Sequence, residues 1–309
     1  MTKTITIDEA KNRNRLGDDL KELKLLGSYN GKLFFGCENG DGAFTTLIFD
    51  YSLRDKEVGE PVRIRDGSWP ESWAQKGKML FVGTRFGYVS AIDMETCRER
   101  ASTRMDNSID AIAVNGNVYF GVNGKGIYKS DDGFEKKAWK NKKNVVSAIT
   151  PFDDKLAVFY FSNGNDPYLD GSQSGGIVEI LDQNLEVLRS KGDIPYAVTQ
   201  AVTCGGKIFF TTRETGNGNV PNGDGGLYEL NPRSLKHHQI RDFSAAVNIL
   251  RMGNDGTLFI GLKDGRLIER YERKEKVLRV QEYPITGVAF AGKYVYASSS
   301  DGEVARIKR

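Results

Sequence analysis

The sequence predicts an all-β chain built from seven repeats of a four-stranded unit, and three observations carry that reading. The first is a turn followed by an apolar, mostly aromatic run that returns seven times: GKLFFG from Gly31, GKMLFVG from Gly77, GNVYFG from Gly116, DKLAVFY from Asp154, GKIFFTT from Gly206, GTLFIG from Gly256 and GKYVYAS from Gly292. These marks lie 46, 39, 38, 52, 50 and 36 residues apart. The second is what surrounds each mark. A turn and another apolar run follow it (TLIFD, YVSAID, GIYKSD, GIVEILD, GLYELN, RLIERY, EVARIK). A short strand precedes it, such as SIDAIAV at 108–114 or AVTQAV at 197–202, and a charged strand closes the unit, such as EVLRS at 186–190 or KVLRV at 276–280. The third is that no segment shows a long apolar stripe at helical period.

Four short strands in roughly 40–45 residues are the signature of a propeller blade. A twisted blade cannot cover its own faces, so it packs on its neighbours around an axis, and the expected fold is a seven-bladed β-propeller of antiparallel blades. The last unit stops after three strands at GEVARIKR, while TKTITID near the start alternates like a strand. Thr2–Asp8 is therefore expected to supply the outer strand of blade seven, because an open ring would leave two apolar blade faces in water. The whole chain, 1–309, reads as one domain with blades at about 21–66, 67–106, 107–143, 144–192, 193–243, 244–282 and 283–309 plus 1–8.

Bulk properties narrow the function classes. The chain of 309 residues is 39% hydrophobic and 28% charged, with a net charge of +3 from 44 basic and 41 acidic residues. That balance gives no strong pull toward nucleic acid or anionic lipid. The start lacks the apolar core of a signal peptide, and no run approaches the roughly 20 apolar residues of a membrane span. Cys37, Cys97 and Cys204 are odd in number and far apart, which argues against a disulfide framework or a zinc site and for a reducing cytoplasm. A monomer is expected.

Two stretches carry family resemblances. LFVGTRFGYVSAIDMETCRER at 80–100 resembles the repeat of quinoprotein-like (PQQ-like) propellers, in which a strand, a glycine turn and ALD-x-x-T-G recur; the blade tryptophan of that family is absent, so the resemblance implies the fold and not the quinone. IYKSDDGFEKKAW at 127–139 resembles one degenerate Asp-box of sialidase-like propellers, which makes Ser130, Asp132 and Gly133 a hairpin brace. WD-repeat propellers share the period, without their Gly-His and Trp-Asp marks.

Candidate sites lie in two places. Both long spacings come from extended turns between the second and third strands of adjacent blades, SNGNDPYLDGSQSGG at 162–176 and RETGNGNVPNGDGG at 213–226; the same turn is only KDG at 263–265. Such loops emerge side by side on one face and are either functional or mobile. They carry Asp166, Tyr168, Asp170, Asn217, Asn219, Asn222 and Asp224, a set that suits a partner- or ligand-binding lip or a calcium ion, although Gly and Asn are also ordinary turn residues. The second place is the innermost strands, whose aligned polar position reads Glu71, Asp110, Ser147, Gln200, Asn248 and Thr286 in blades two to seven. Directed at the axis, these would ring the central channel. Any propeller channel is wet and tolerates polar residues, but Glu71 and Asp110 on adjacent blades could also hold a cation or act as an acid–base pair. Calcium-dependent lactonases of propeller fold hold a metal in that place.

The two histidines, His237 and His238, are neighbours on an outer strand and point to opposite faces, so a histidine triad or multi-histidine metal site is not expected. The basic runs KKAWKNKK at 136–143 and RYERKEKVLR at 270–279 fall on outer strands of blades far apart, where lysine also blocks edge pairing. Nucleic acid is therefore not expected as a partner. The expected function is a non-catalytic scaffold binding a protein or small ligand on the face of the two long loops; the alternative is a calcium-dependent hydrolase or lactonase at the channel mouth.

Overall fold

In each unit the middle strands are short runs of β-branched and aromatic residues bounded by glycine turns, the pattern of strands buried on both faces. Met79–Thr84 and Tyr88–Asp93 are buried at every position but their first, whereas the outer strand Arg98–Arg104 is exposed at most positions and half-buried only at Ala101 and Thr103. The computed structural model describes residues 3–6, 20–39, 45–64, 67–131, 134, 136–141, 145–161, 176–194, 197–213, 225–279 and 282–309. These form seven four-stranded antiparallel sheets arranged as the blades of a seven-bladed β-propeller, with no helix among the described residues.

The innermost strands are Leu20–Tyr29, Pro70–Lys76, Ile109–Asn115, Val145–Phe152, Ala197–Cys204, Val247–Met252 and Ile285–Ala291. Each touches the innermost strands of both neighbouring blades, all the way round the ring. The N-terminal strand Lys3–Thr6 pairs antiparallel with Glu303–Lys308, with Lys3 opposite Arg306 and Thr6 opposite Glu303, and completes blade seven. The expected closing strand is thus present; Thr2, Ile7 and Asp8 lie outside the described residues.

The apolar cores are layers between blades. Separate clusters fill the junctions two–three, three–four, four–five and five–six, and one larger cluster that includes Trp73 spans one–two and six–seven. The seating of one blade on the next explains the glycine after the aromatic run. A Cβ on Gly83 would lie 2.5 Å from Ile109 Cγ2, on Gly121 2.4 Å from Val146 Cγ1, and on Gly261 2.7 Å from Ile285 Cγ2. In each case the β-branched residue starts the next blade's bend toward the axis, and only a glycine leaves room for it.

The third and fourth strands are joined by turns that use an Asx side chain as a local acceptor. Asp93 Oδ1 accepts from the amides of Glu95 and Thr96 while Oδ2 accepts from Arg100; Asp182 Oδ1 accepts from Asn184 and Glu186, and Asn231 Oδ1 from Arg233 and Ser234. The aspartate of the quinoprotein-like phrase therefore holds a turn. Of the Asp-box-like stretch, Ser130 ends a strand that forms a hairpin with Lys136–Asn141, and Asp132 and Gly133 lie outside the described residues.

Two outcomes follow. Removing residues 1–8 strips blade seven of its outer strand, and thermal melting should show a lower Tm for the whole chain in one transition; an unchanged Tm would contradict the clasp. Gly121→Ala should cost about 1–3 kcal/mol in urea unfolding, since overpacking a filled junction forces the backbone to move. Val146→Ala in the same background should restore part of that loss, as expected for residues in contact.

Candidate functional site: the axial channel

A β-bulge shapes the channel wall. In six innermost strands the pairing register slips by one residue, between Pro70 and Ser72, Ile109 and Ala111, Val146 and Ala148, Val198 and Gln200, Val247 and Ile249, and Ile285 and Gly287. The unpaired residue of each bulge is Glu71, Asp110, Ser147, Thr199, Asn248 and Thr286. A bulge bends its strand and re-aims one side chain, and here all six residues line one cavity of about 610 Å³ at the mouth of the channel.

Five of the six residues expected at this ring are the bulge residues themselves. Blade five differs. Gln200 sits in the ladder opposite Thr211, and Thr199 is the bulge residue, although both line the cavity. The local sequence rule is an apolar residue followed by the polar one: Pro70-Glu71, Ile109-Asp110, Val146-Ser147, Val198-Thr199, Val247-Asn248 and Ile285-Thr286. That rule selects Thr199. Blade one contributes Lys24, next to a wider slip between Lys21 and Lys24, and the exposed Lys263 joins the lining from a turn of blade six.

Phe161, the last described residue before the first long loop, lines the same cavity. Asp166, Tyr168, Asp170, Asn217, Asn219, Asn222 and Asp224 lie outside the described residues.

The ring members divide by what they bond. Asn248 donates to the Ile285 carbonyl at 2.9 Å, Thr286 to the Leu23 carbonyl at 2.7 Å and Lys24 to the Pro70 carbonyl at 2.7 Å, each reaching the next blade. Ser147 and Thr199 donate back to carbonyls of their own blades. The two carboxylates are held locally: Trp69 Nε1 donates to Glu71 Oε1 at 2.6 Å and Ser108 Oγ to Asp110 Oδ1 at 2.5 Å. As ionised acceptors they cannot bond a neighbouring carbonyl, and they place the acidic side of the mouth on blades two and three. Burial, with the charge of Glu71 adding to it, holds the Asp110 carboxyl above the usual carboxylate range, against hydrogen bonds from Ser108 and Asn123.

Among the described residues no group of three or more His, Cys, Asp or Glu side chains converges as a metal cage. His237 packs edge-on against Phe210 and Tyr228, and burial lowers its pKa, which keeps it neutral and structural. The described parts of the basic runs lie on the outer strands Lys136–Asn141 and Lys274–Arg279 of blades three and six, away from the channel. No helix of the described residues is long and apolar enough to cross a membrane.

No protein-family model matches the chain, and no curated protein matches it either. Solved structures do. A chain of the Kuenenia stuttgartiensis hydrazine synthase superposes with a TM-score of 0.70 at 15% identity, covering 94% of this chain and 97% of that one. A chain of the mitotic checkpoint complex gives 0.69 at 14% identity, covering 99% and 91%, and the computationally designed Ika8 protein gives 0.61 at 14%, covering 94% and 98%. At these identities the likeness establishes the propeller fold alone.

The raised Asp110 pKa has a signed consequence. The folded chain binds the Asp110 proton more tightly than the unfolded chain, so ionising it costs stability as pH rises through the raised value, and the cost is absent below the ordinary carboxylate pKa. Asp110→Asn, which keeps an acceptor for Ser108, should raise the urea midpoint at pH 7, and the gain should shrink as pH falls toward 4. A gain independent of pH would contradict the assignment.

Proposed function

We propose that the protein is a non-catalytic scaffold that takes a partner protein or small ligand at the channel mouth, on the face where the sequence is expected to put the long loops 162–176 and 213–226. The observation that carries this reading is the division of labour in the ring. Lys24, Asn248 and Thr286 spend their polar atoms on holding blades together. Glu71 and Asp110 hold no blade junction, and they face an open cavity of a size that admits a ligand or a partner's side chains. One structural neighbour belongs to a multiprotein complex, which agrees with a binding role. The quinoprotein-like and WD-repeat resemblances add the architecture and no cofactor.

A second reading, calcium-dependent hydrolysis at the same mouth, draws on one observation: Glu71 and Asp110 line one cavity on adjacent blades, and beyond burial the charge of Glu71 also raises the Asp110 pKa, so the two carboxylates repel. A divalent cation would relieve that repulsion, with Gln200 and Asn248 nearby as amide ligands. Glu71 and Asp110 would hold the ion, and the ion would polarise a bound ester or lactone.

One experiment separates the readings. The wild type and the Glu71→Gln/Asp110→Asn double variant are compared for species retained from the source cells, identified by mass spectrometry, and for Tm with and without calcium. The scaffold reading expects at least one species retained by the wild type and lost from an equally stable variant, with no calcium effect on Tm. A Tm that rises with calcium in the wild type alone favours the hydrolase. Identical retention by both proteins moves the binding surface away from this mouth.

A further inference from the structure

Below the acidic mouth the channel is pinched. Trp73, two residues beyond Glu71 on the same strand of blade two, lines the large mouth cavity, a narrow passage of about 70 Å³ and a third cavity of about 460 Å³ on the opposite face. Arg251 of blade six lines the passage and the opposite cavity, and its Cζ lies 4.9 Å from the centre of the Trp73 ring. Blades two and six stand well apart around the ring, so the two side chains meet across the axis. They form the waist of the channel.

The waist holds unspent donors. Arg251 has no hydrogen bond or ion pair among the described residues; the face of Trp73 is its only polar partner. Trp73 is 9% exposed, and its Nε1–H is buried with no acceptor. A guanidinium carries five N–H donors in a planar fork. Stacking on an aromatic face occupies the plane of the fork and leaves its edges free. Arg251 is half-buried and lines open channel, so its guanidinium stays within reach of solvent, and a cation without a counter-charge in such a place can take one from an entering ligand. Glu71 and Asp110 line the narrow passage together with Arg251, yet among the described residues neither makes an ion pair or hydrogen bond with it; Glu71 is bonded by Trp69 and Asp110 by Ser108. Burial alone pulls the Arg251 pKa down to about 10, with no acid raising it.

The opposite cavity suits the missing partner. Its lining includes Ser28, Gln75 and Asn254 and no carboxylate. An anion entering there meets no carboxylate before Arg251, although Ser28 and Gln75 already donate to the carbonyls of Phe290, Ser28 and Gly77; from the other face it would pass Glu71 and Asp110 as well as Lys24 and Lys263.

We propose that the waist is an oxyanion site: a small carboxylate or phosphate, free or as the tip of a larger ligand, enters from the face lined by Ser28, Gln75 and Asn254 and is bound by the Arg251 guanidinium that sits over the Trp73 ring. The planar fork matches the two oxygens of such a group bidentately. This site is distinct from the acidic mouth and stands whether or not that mouth binds a partner.

The test is thermal melting of the full chain at constant ionic strength, set with chloride, against inorganic phosphate and against succinate. Saturating a native-state site raises Tm by several degrees with a concentration dependence that returns Kd. The expected result is a saturable rise with at least one of the two anions in the wild type and in Glu71→Gln/Asp110→Asn, and none in Arg251→Met. Which anion acts more strongly separates the phosphate source from the carboxylate source. No rise with either anion up to tens of millimolar, or an equal rise in Arg251→Met, overturns the proposal. Should Arg251→Met fail to fold, the Arg side-chain 15Nε resonances of the wild type give the same answer: one of them must shift saturably with the anion, and if none does the site is refuted.

Discussion

The structure depends on how each blade hands a hydrogen bond to the next beside the axis. A bulge next to the start of each innermost strand breaks the ladder locally and leaves a carbonyl with its usual partner displaced. At four of the seven junctions a side chain of the preceding blade donates to a carbonyl beside that break: Lys24 to Pro70, Ser72 to Ile109, Asn248 to Ile285 and Thr286 to Leu23. A buried carbonyl left unpaired costs about 1–3 kcal/mol, so bulge and donor belong together. The bulge turns a side chain toward the channel, and the neighbouring blade satisfies what the bulge exposed. Gly83 and Gly261 serve two of these junctions from the other side by letting the first residue of the bend approach, and Gly121 does the same between blades three and four. Stability and the lining of the channel therefore come from one local device repeated round the ring.

That device explains why the channel has a polarity. Most bulge residues are neutral and bond to carbonyls. At blades two and three the residues are carboxylates, which cannot donate, and each is held instead by a donor two residues earlier, Trp69 or Ser108. Negative charge collects on one side of one mouth as a result. The waist is built differently. Two residues after Glu71 the strand returns to the ladder, and Trp73 joins the apolar cluster that spans two blade junctions, meeting Arg251 from across the ring. A mouth that gathers its carboxylates on blades two and three, a cationic waist and a far cavity lined by no carboxylate follow one another along a single axis.

Much of this was legible in the sequence, because the repeat is a consequence of packing. The run after each turn is mostly apolar since blades cover both of its faces, and the spacing of the glycines marks where blades touch. The closing strand was legible because the last unit was one strand short. The ring was nearly so: Glu71, Asp110, Ser147, Asn248 and Thr286 follow from alignment of the innermost strands. Gln200 in place of Thr199 shows the limit. Alternation along a strand counts residues by two, and a bulge breaks the count by one, so the apolar-then-polar pair and not the alternation marks the position. Lys24 escaped because blade one has a wider slip than the others. Trp73 and Arg251 escaped for a different reason. They are 178 residues apart in the chain, and nothing local in either strand records that the two side chains share an axis.

A waist made of a stacked tryptophan and arginine is a poor choice for stability alone. A leucine or methionine pair would fill the same constriction without desolvating a charge, and replacements of that kind in buried ionic sites are often neutral or stabilising. The junctions of this ring show that the fold pairs its polar groups elsewhere with care, down to single carbonyls. Against that background an arginine deep in the channel, with no acid or carbonyl answering it among the described residues, departs from the rule the rest of the channel obeys. Such departures are expected where a group is kept for something the folded chain does not itself contain. The repeat sets the frame, and the two places where it yields unpaired charge, the carboxylates at the mouth and the guanidinium at the waist, are where binding chemistry is available.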